Sequence, residues 1–401
     1  MKRATSFRFI HCADLHLESG FKGLQKRYER WADEMRESTF IAMEKMVELA
    51  IKESVDFVVI AGDIFDAETR SIRAEFRFRD AMERLGEHGI NCFIVCGNHD
   101  PLDSWSKHIL LPKNVIRFST EGESAPAYKD GQKVANVTGI SYAETEVIED
   151  LSQRLEPFGD VFDIAVLHCN IGSREHKMYS ATTVGELCEK GFDYWALGHV
   201  HQRGIIHEDP HIVYPGNTQG RHVNEQGEKG CYLVTVADGK VIDLSFHSLA
   251  PFVWETLTVD ITDKTSLDQL RASTPPIEQH ALSVVKFIGR GPLDNILRSE
   301  RNAEEMAEEI CCSRGSRCVR YLVHTRPDID LESRRGGNDF LASVLRHADT
   351  LAASPDEVRA ILKGAPQRFH EWIDEINDEI LSEIAQEAAV ELFERLLRGE
   401  E

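Results

Sequence analysis

The chain has 401 residues, is 42% hydrophobic and carries a formal net charge of −22. That length suits two or three domains of roughly 100–200 residues each, and the acidity argues against a protein that grips nucleic acid through a broad basic surface. No stretch of about 18 uncharged apolar residues occurs, which excludes a spanning helix, and the nine cysteines lack CxxC spacing, which argues against a disulfide framework or a zinc ribbon. His11 and Asp14 follow Lys2 and Arg3 too soon for a cleavable leader, so a cytoplasmic protein with reduced thiols is expected.

Ser6–Cys12 reads as a first strand, with Asp14-Leu15-His16 at its end. Helical spacing follows from about Arg27 to Glu53, carried by Trp31, Met35, Phe40, Met43, Met46, Val47 and Ala50. Phe57–Ala61 is an apolar run that stops at Gly62-Asp63, and a charged helix spans about Ile72–His88. Ile90–Val95 is a third apolar run, stopping at Gly97-Asn98-His99-Asp100. This β-α-β-α-β order with near-continuous apolar strands predicts a largely parallel sheet covered on both faces. Function in such sheets gathers at the carboxyl ends of the strands. Strands at Val115–Phe118 and Val134–Ile140 come next. Asp163–Leu167 ends at His168, and Tyr194–Leu197 ends at Gly198-His199-Val200-His201. Ile212–Tyr214, Gly230–Val236 and Val241–Phe246 complete a set that predicts two sheets packed face to face with helices outside.

The pattern changes near Pro251. Val253–Ile261, Leu282–Ile288 and Cys318–His324 read as strands and Asn295–Ile310 as a helix, a small α/β unit of its own. Three regions are therefore expected: 1–250, 251–326, and a helical 327–401. From Glu371 to Leu397 the residues Ile373, Ile376, Ile380, Ile384, Ala388, Leu392 and Leu396 form one stripe, suited to packing on its own domain or to docking a partner. Eleven acidic and two basic residues between Glu371 and Glu401 leave about nine net negative charges there, which makes this tail a poor phosphate grip.

The polar strand-end residues are Asp14, His16, Asp63, Asn98, His99, His168, His199 and His201. A strand-end aspartate by itself is usually a cap, and a lone histidine a satisfied half-buried residue. Eight at the ends of five strands point to one site. Asp14 and His16 are two apart, as are His199 and His201, so in extended geometry each pair leaves the strand on one side. Carboxylates and imidazoles without a cysteine pair suit a borderline-hard divalent ion such as Mn²⁺ or Fe²⁺. There are enough ligands for two ions, which would activate a shared water and clamp a phosphoryl group. Cys12, Cys96 and Cys169 flank these positions and read as small buried hydrophobes.

Asp14-x-His16, Gly62-Asp63, Gly97-Asn98-His99-Asp100, His168 and Gly198-His199-x-His201 together resemble, in order and spacing, the five motifs of the calcineurin-like metallophosphoesterases. A finer resemblance lies in Ala61-Gly62-Asp63-Ile64-Phe65-Asp66, in Asp193-Tyr194-Trp195-Ala196-Leu197-Gly198-His199 and in Tyr214-Pro215-Gly216-Asn217. These runs are similar to the DNA repair exonucleases of the SbcD and YhaO type. The likeness covers about residues 6–248; 252–326 is similar to that family's capping domain only in pattern, and the last 75 residues match nothing. The resemblance implies an α/β fold, a two-sheet αββα sandwich with a small α/β capping domain and a helical C-terminal segment. It implies one metal on Asp14, His16, Asp63 and His201, and a second on Asp63, Asn98, His168 and His199, with Asp63 as the bridge. His99 would face the phosphate and serve the leaving oxygen, and Asp100 would orient His99. The implied cofactors are two divalent ions, manganese first, with iron(II) or magnesium as alternatives.

The implied reaction is in-line attack of hydroxide on a DNA phosphodiester, 3′–5′ exonuclease action with some single-strand endonuclease action, in double-strand-break repair. No Gly-x-x-x-x-Gly-Lys-Ser/Thr occurs, so an ATPase partner of the SbcC/YhaN type would supply any ATP-driven access to duplex DNA. The C-terminal stripe, or the helix near Arg27–Glu53 in a homodimer, offers a contact surface. A phosphomonoesterase or cyclic-nucleotide phosphodiesterase would use the same metals. A non-catalytic partner-binding scaffold is the alternative outside enzymology, but it would not need all the ligand positions and His99 in place.

Overall fold

The computed structural model describes residues 6–20, 31–66, 70–106, 108–172, 179–274, 280–328, 331–366 and 369–398. The elements of the first part are, in chain order, β1 (Phe7–Cys12), α1 (Ala32–Lys52), β2 (Phe57–Ala61), α2 (Ile72–Glu87), β3 (Asn91–Val95), β4 (Val115–Arg117), β5 (Glu123–Lys129), β6 (Gln132–Ile140), β7 (Phe162–His168), α3 (Val184–Glu189), β8 (Tyr194–Gly198), β9 (Gly204–Glu208), β10 (His211–Tyr214), β11 (Gly230–Ala237) and β12 (Lys240–Ser248). The expected start of the first helix, residues 27–30, lies outside the described residues.

Two mixed six-stranded sheets result, with orders β12-β11-β1-β2-β3-β4 and β5-β6-β7-β8-β10-β9. In the first, β1 to β4 run parallel while β11 and β12 are antiparallel. In the second, β6, β7, β8 and β10 run parallel between antiparallel edges. Alternation along each strand assigns the two faces. Phe57, Val59 and Ala61 of β2 face Phe162, Ile164 and Val166 of β7 and Tyr194 and Ala196 of β8 in one buried cluster between the sheets. Val58 and Ile60 point the other way, into a cluster with Met43, Met46, Val47, Phe78 and Met82 of α1 and α2. Ala165, Leu167, Trp195 and Leu197 pack outward with Leu187 of α3. This is the expected α/β sandwich with helices outside. Burying each of the Val, Leu, Ile, Phe and Met side chains in these clusters stabilises by about 1.5–3 kcal/mol.

The same alternation carries polar residues to the mouth of the sandwich. His168 is the next member of the Phe162, Ile164, Val166 row, and Gly198 the next of the Tyr194, Ala196 row. Gly198 must lack a side chain, because a Cβ there would lie 1.9 Å from the Ala61 carbonyl oxygen. Gly198→Ala is therefore expected to lower stability by about 1–3 kcal/mol, read as a fall in thermal midpoint. An unchanged midpoint would show that β2 and β8 part freely.

Two compact units divide the chain: one holds both six-stranded sheets, the other Thr258–Thr274, Lys286–Ile310 and the chain from Tyr321 onward. Beyond the sandwich come β13 (Val253–Asp260), α4 (Leu267–Ala272), β14 (Ala281–Arg290), α5 (Asp294–Leu297), α6 (Glu300–Arg314) and β15 (Arg317–Arg326), whose strands form one three-stranded sheet. Then follow α7 (Leu331–Arg335), α8 (Phe340–Ala352), α9 (Pro355–Leu362), α10 (His370–Glu375) and α11 (Asp378–Arg398), the C-terminal helical extension. The stripe expected from Glu371 to Leu397 is not one helix. It breaks between α10 and α11, where the Asn377 side chain caps the second helix by accepting from the Ile380 N–H at 2.8 Å. Ile376 and Leu381 are buried with Val358, while Ile380 and Leu392 are 45% and 48% exposed. No helix among the described residues is long and apolar enough to cross a membrane.

Candidate metal centre

The carboxyl ends of β1, β2 and β3 in one sheet meet those of β7 and β8 in the other. The Asp14 and His16 N–H groups donate to the Gly62 and Asp63 carbonyls, each at 3.0 Å, so the first two polar turns run side by side. Across the sandwich, His168 Nδ1 lies 2.9 Å from the Ala61 carbonyl. That bond leaves His168 Nε2 aimed at Asn98 Oδ1, 3.0 Å away, and at Asp63 Oδ2, 3.3 Å away. Asp14, His16, Asp63 and His199 have φ of 53°, 43°, 51° and 98°. Non-glycine residues rarely adopt the left-handed region, and strain of this kind is kept where it aims a functional group.

All eight expected residues come together. Asp63 Oδ2 lies between two imidazoles, 3.7 Å from His16 Nε2 and 3.3 Å from His168 Nε2. On one side, His16 Nε2 and His201 Nε2 are 3.2 Å apart and Asp14 Oδ1 is 3.9 Å from the latter. On the other, Asn98 Oδ1 is within 3.0 Å of His168 Nε2 and 3.2 Å of His199 Nδ1. Asp14, His16 and His201, and Asp14, Asp63 and His168, each form a triad able to hold a metal ion.

The donor chemistry fits such ions. His201 Nδ1 is 2.7 Å from Glu225 Oε1, so this nitrogen carries the proton and Nε2 presents its lone pair. Two imidazole nitrogens facing each other at 3.2 Å repel unless a cation or a proton lies between them. A third triad, His16, Asp66 and His99, has similar spacing. It is a poor cation site, because Asp66 is already paired with His99 and, at 2.8 Å, with Arg221.

The titrations follow from burial and charge. Burial pushes His16 and His199 down to about 3, so both are neutral and fit to donate lone pairs. Burial also works against a charged His168, but Asp63 and Asp14 outweigh it and raise this imidazole to about 9. Asp63, despite burial, is held well below the usual carboxylate range by His168 and His16. The buried carboxylates of Asp14 and Asp63 thus favour cationic charge beside them.

His99 stands at the rim, with its side chain 45% exposed. Its N–H donates to Asp63 Oδ1 at 2.9 Å, and its ring meets that of His16 edge-on with centroids 4.9 Å apart. The structure corrects one expectation. Asp100 does not orient this imidazole; its carboxylate accepts from the N–H groups of Gly97 at 2.8 Å and Ile64 at 2.9 Å, tying the third polar turn to the second. Residues adjacent in a turn point apart, and a buried carboxylate so close to unpaired amides binds them first. Burial and the neighbouring Asp63 raise Asp100 to about 7. The partner of His99 Nδ1 is Asp66.

Asp66, Arg221 and Glu225 are not singled out by the sequence. Asp66 closes the run that begins at Ala61, while Arg221 and Glu225 follow the Tyr214–Asn217 run by a few residues. Clustered charge behind a strand end is the only signal they give. Glu225 Oε2 accepts from Asn217 Nδ2 at 2.8 Å and from the Arg221 N–H at 2.7 Å, leaving Oε1 for His201. Glu225→Gln should weaken Mn²⁺ binding by about 10–100-fold in titration calorimetry, the usual cost of losing a carboxylate behind a metal-ligating histidine. Unchanged affinity would mean that His201 needs no such support. Cys12, Cys96 and Cys169 are buried, as expected of small hydrophobes, and none belongs to these triads.

Residues 7–203 match the family model for calcineurin-like phosphoesterases. That segment, just under half of the chain, carries the family's pattern, and the fold matches it. Among curated relatives, this chain is 39% identical over 270 residues, 66% of each chain, to a Bacillus subtilis protein named uncharacterized metallophosphoesterase YhaO. It is 27% identical to proteins named DNA double-strand break repair protein Mre11 from Thermoplasma acidophilum, over 58% of this chain and 63% of that one, and from Sulfurisphaera tokodaii, over 50% and 51%. The chain thus spans between half and two thirds of the length of these relatives. Its clustered carboxylates and imidazoles make a candidate dinuclear metal site.

Proposed function

We propose that the chain is a DNA exonuclease acting from 3′ ends, with single-strand endonuclease action, in double-strand-break processing. The observation that carries this reading is the convergence of Asp14, His16, Asp63, Asn98, His168, His199 and His201 at one end of the sandwich, with the accessible imidazole of His99 beside it. The relatives named for break repair support the choice of DNA as substrate.

Asp14, His16, Asp63 and His201 would hold one ion, and Asp63, Asn98, His168 and His199 the other. The oxygen and nitrogen donors, with no sulfur, favour manganese over softer ions. Such ions, when bound, activate water for in-line attack and neutralise phosphoryl oxygens. The protein's own residues do the rest. Glu225 and the Ala61 carbonyl fix the tautomers of His201 and His168. His99 meets the departing sugar 3′-oxygen and protonates or stabilises it. The acidic surface gives little general grip on DNA, so the metal centre itself would hold the phosphate.

An ATPase of the SbcC/YhaN type and a second copy of the chain are the proposed partners. The C-terminal helices carry an apolar groove of about 230 Å³, lined by Val344, Leu351, Ile384, Ala388 and Leu392, which suits a partner's apolar segment. The test of function is digestion of 3′-labelled DNA with Mn²⁺, with Mg²⁺ and with chelator, beside a nitrophenyl phosphate monoester. Metal-dependent release of 5′-mononucleotides is expected. Hydrolysis of the monoester alone would make the protein a phosphomonoesterase.

A further inference from the structure

One residue lies between the two carboxylates that support imidazoles. Arg221 Nη1 donates to Asp66 Oδ2 at 2.8 Å, and its backbone N–H donates to Glu225 Oε2 at 2.7 Å. The buried Ser19 hydroxyl also donates to Asp66 Oδ2. Asp66 Oδ1 then faces two imidazole Nδ1 atoms, that of His99 in close contact and that of His16 at 3.5 Å. A carboxylate free to rotate would divide itself between them. Arg221 and Ser19 hold Oδ2 in place, so Oδ1 stays on His99.

Arg221 is 155 residues from Asp66 in sequence, which puts its contribution entirely in tertiary packing. A direct grip on substrate phosphate is the obvious rival role. It is disfavoured here, because the side chain is 12% exposed and its Nε is buried without a partner among the described residues. With Nη1 committed to Asp66, little guanidinium surface is left for an anion.

We infer that Arg221 is a positioning residue that acts through Asp66 to aim His99 at the leaving oxygen. The inference rests on the proposed role of His99. It predicts that Arg221 matters in proportion to how badly the leaving group needs that imidazole. A sugar 3′-oxygen leaves poorly without help, whereas nitrophenolate leaves as a stable anion.

The test compares wild type, Arg221→Gln, His99→Ala and the double variant, all with Mn²⁺. The substrates are single-stranded DNA and bis(p-nitrophenyl) phosphate. Arg221→Gln should lower kcat on DNA by about 10–100-fold, part of what a well-placed acid contributes, with KM nearly unchanged. On the nitrophenyl diester it should cost under about threefold, and in the His99→Ala background it should cost almost nothing on DNA, since residues acting as a unit are not additive. In metal-free protein labelled with ¹⁵N-histidine, the His99 resonances should move while those of His168 stay. Asp66→Asn should reproduce the pattern, which keeps the test alive if Arg221→Gln does not fold.

Equal losses on both substrates with a raised KM would overturn the inference in favour of a phosphate contact. A full additional loss on top of His99→Ala would overturn it too. A His99→Ala enzyme as active as wild type on DNA would instead remove the role of His99, and this inference with it.

Discussion

Replacing His99 with alanine is expected to lower DNA cleavage by about 10²–10⁴-fold, the usual contribution of a placed general acid or base. Two divalent ions should still bind. The imidazole of His99 is outside the two triads that meet at Asp14, and its Nδ1 is committed to Asp66. What the substitution removes is an exposed group on the rim, the one proposed to meet the leaving oxygen. Rate and metal content therefore separate: single-turnover cleavage of end-labelled DNA should collapse while calorimetry reports an unchanged Mn²⁺ stoichiometry. Loss of both together would move His99 into the metal shell. Full activity would leave the departing oxygen to water.

Asp63→Asn should have the opposite signature, with metal binding and cleavage failing together. Asp63 Oδ2 stands between His16 and His168, and its other oxygen holds the His99 N–H. An amide keeps the shape but discards the charge that sets this centre's affinity for cations. The loss in Mn²⁺ affinity should exceed the roughly 10–100-fold typical of residues behind the ligands. His168 would also lose the main attraction that raises it to about 9. A variant that still bound two ions with native affinity would show that Asp63 is not shared between them.

The central strands are readable in the sequence because both their faces are buried. Phe57–Ala61 and Tyr194–Gly198 are apolar throughout and sit inside their sheets. The two edge strands of the second sheet are not. Glu123–Lys129 carries Pro126 and largely exposed polar residues, and Gly204–Glu208 leaves Ile205 and Ile206 exposed, so neither shows a clean alternation. An edge strand tolerates both, since one side of its ladder needs no partner. The centre is legible for a similar reason: each ligand closes an apolar run, and parallel pairing carries those closures to one end. Arg221 and Glu225 sit in loops without periodicity, and the side-chain partner of Arg221, Asp66, is 155 residues away. Asp100 misleads because it adjoins His99, yet its carboxylate serves backbone amides of another turn. The long C-terminal stripe hides its break because Ile376 and Ile380 keep helical spacing across Asn377, whose capping side chain starts a new helix.

The most direct test is an anomalous-scattering map from a crystal soaked in Mn²⁺. Two peaks should flank the Asp63 carboxylate, one beside His16 and His201 and the other beside Asn98, His168 and His199. A map with no peak there, or with manganese bound only elsewhere, would contradict the account.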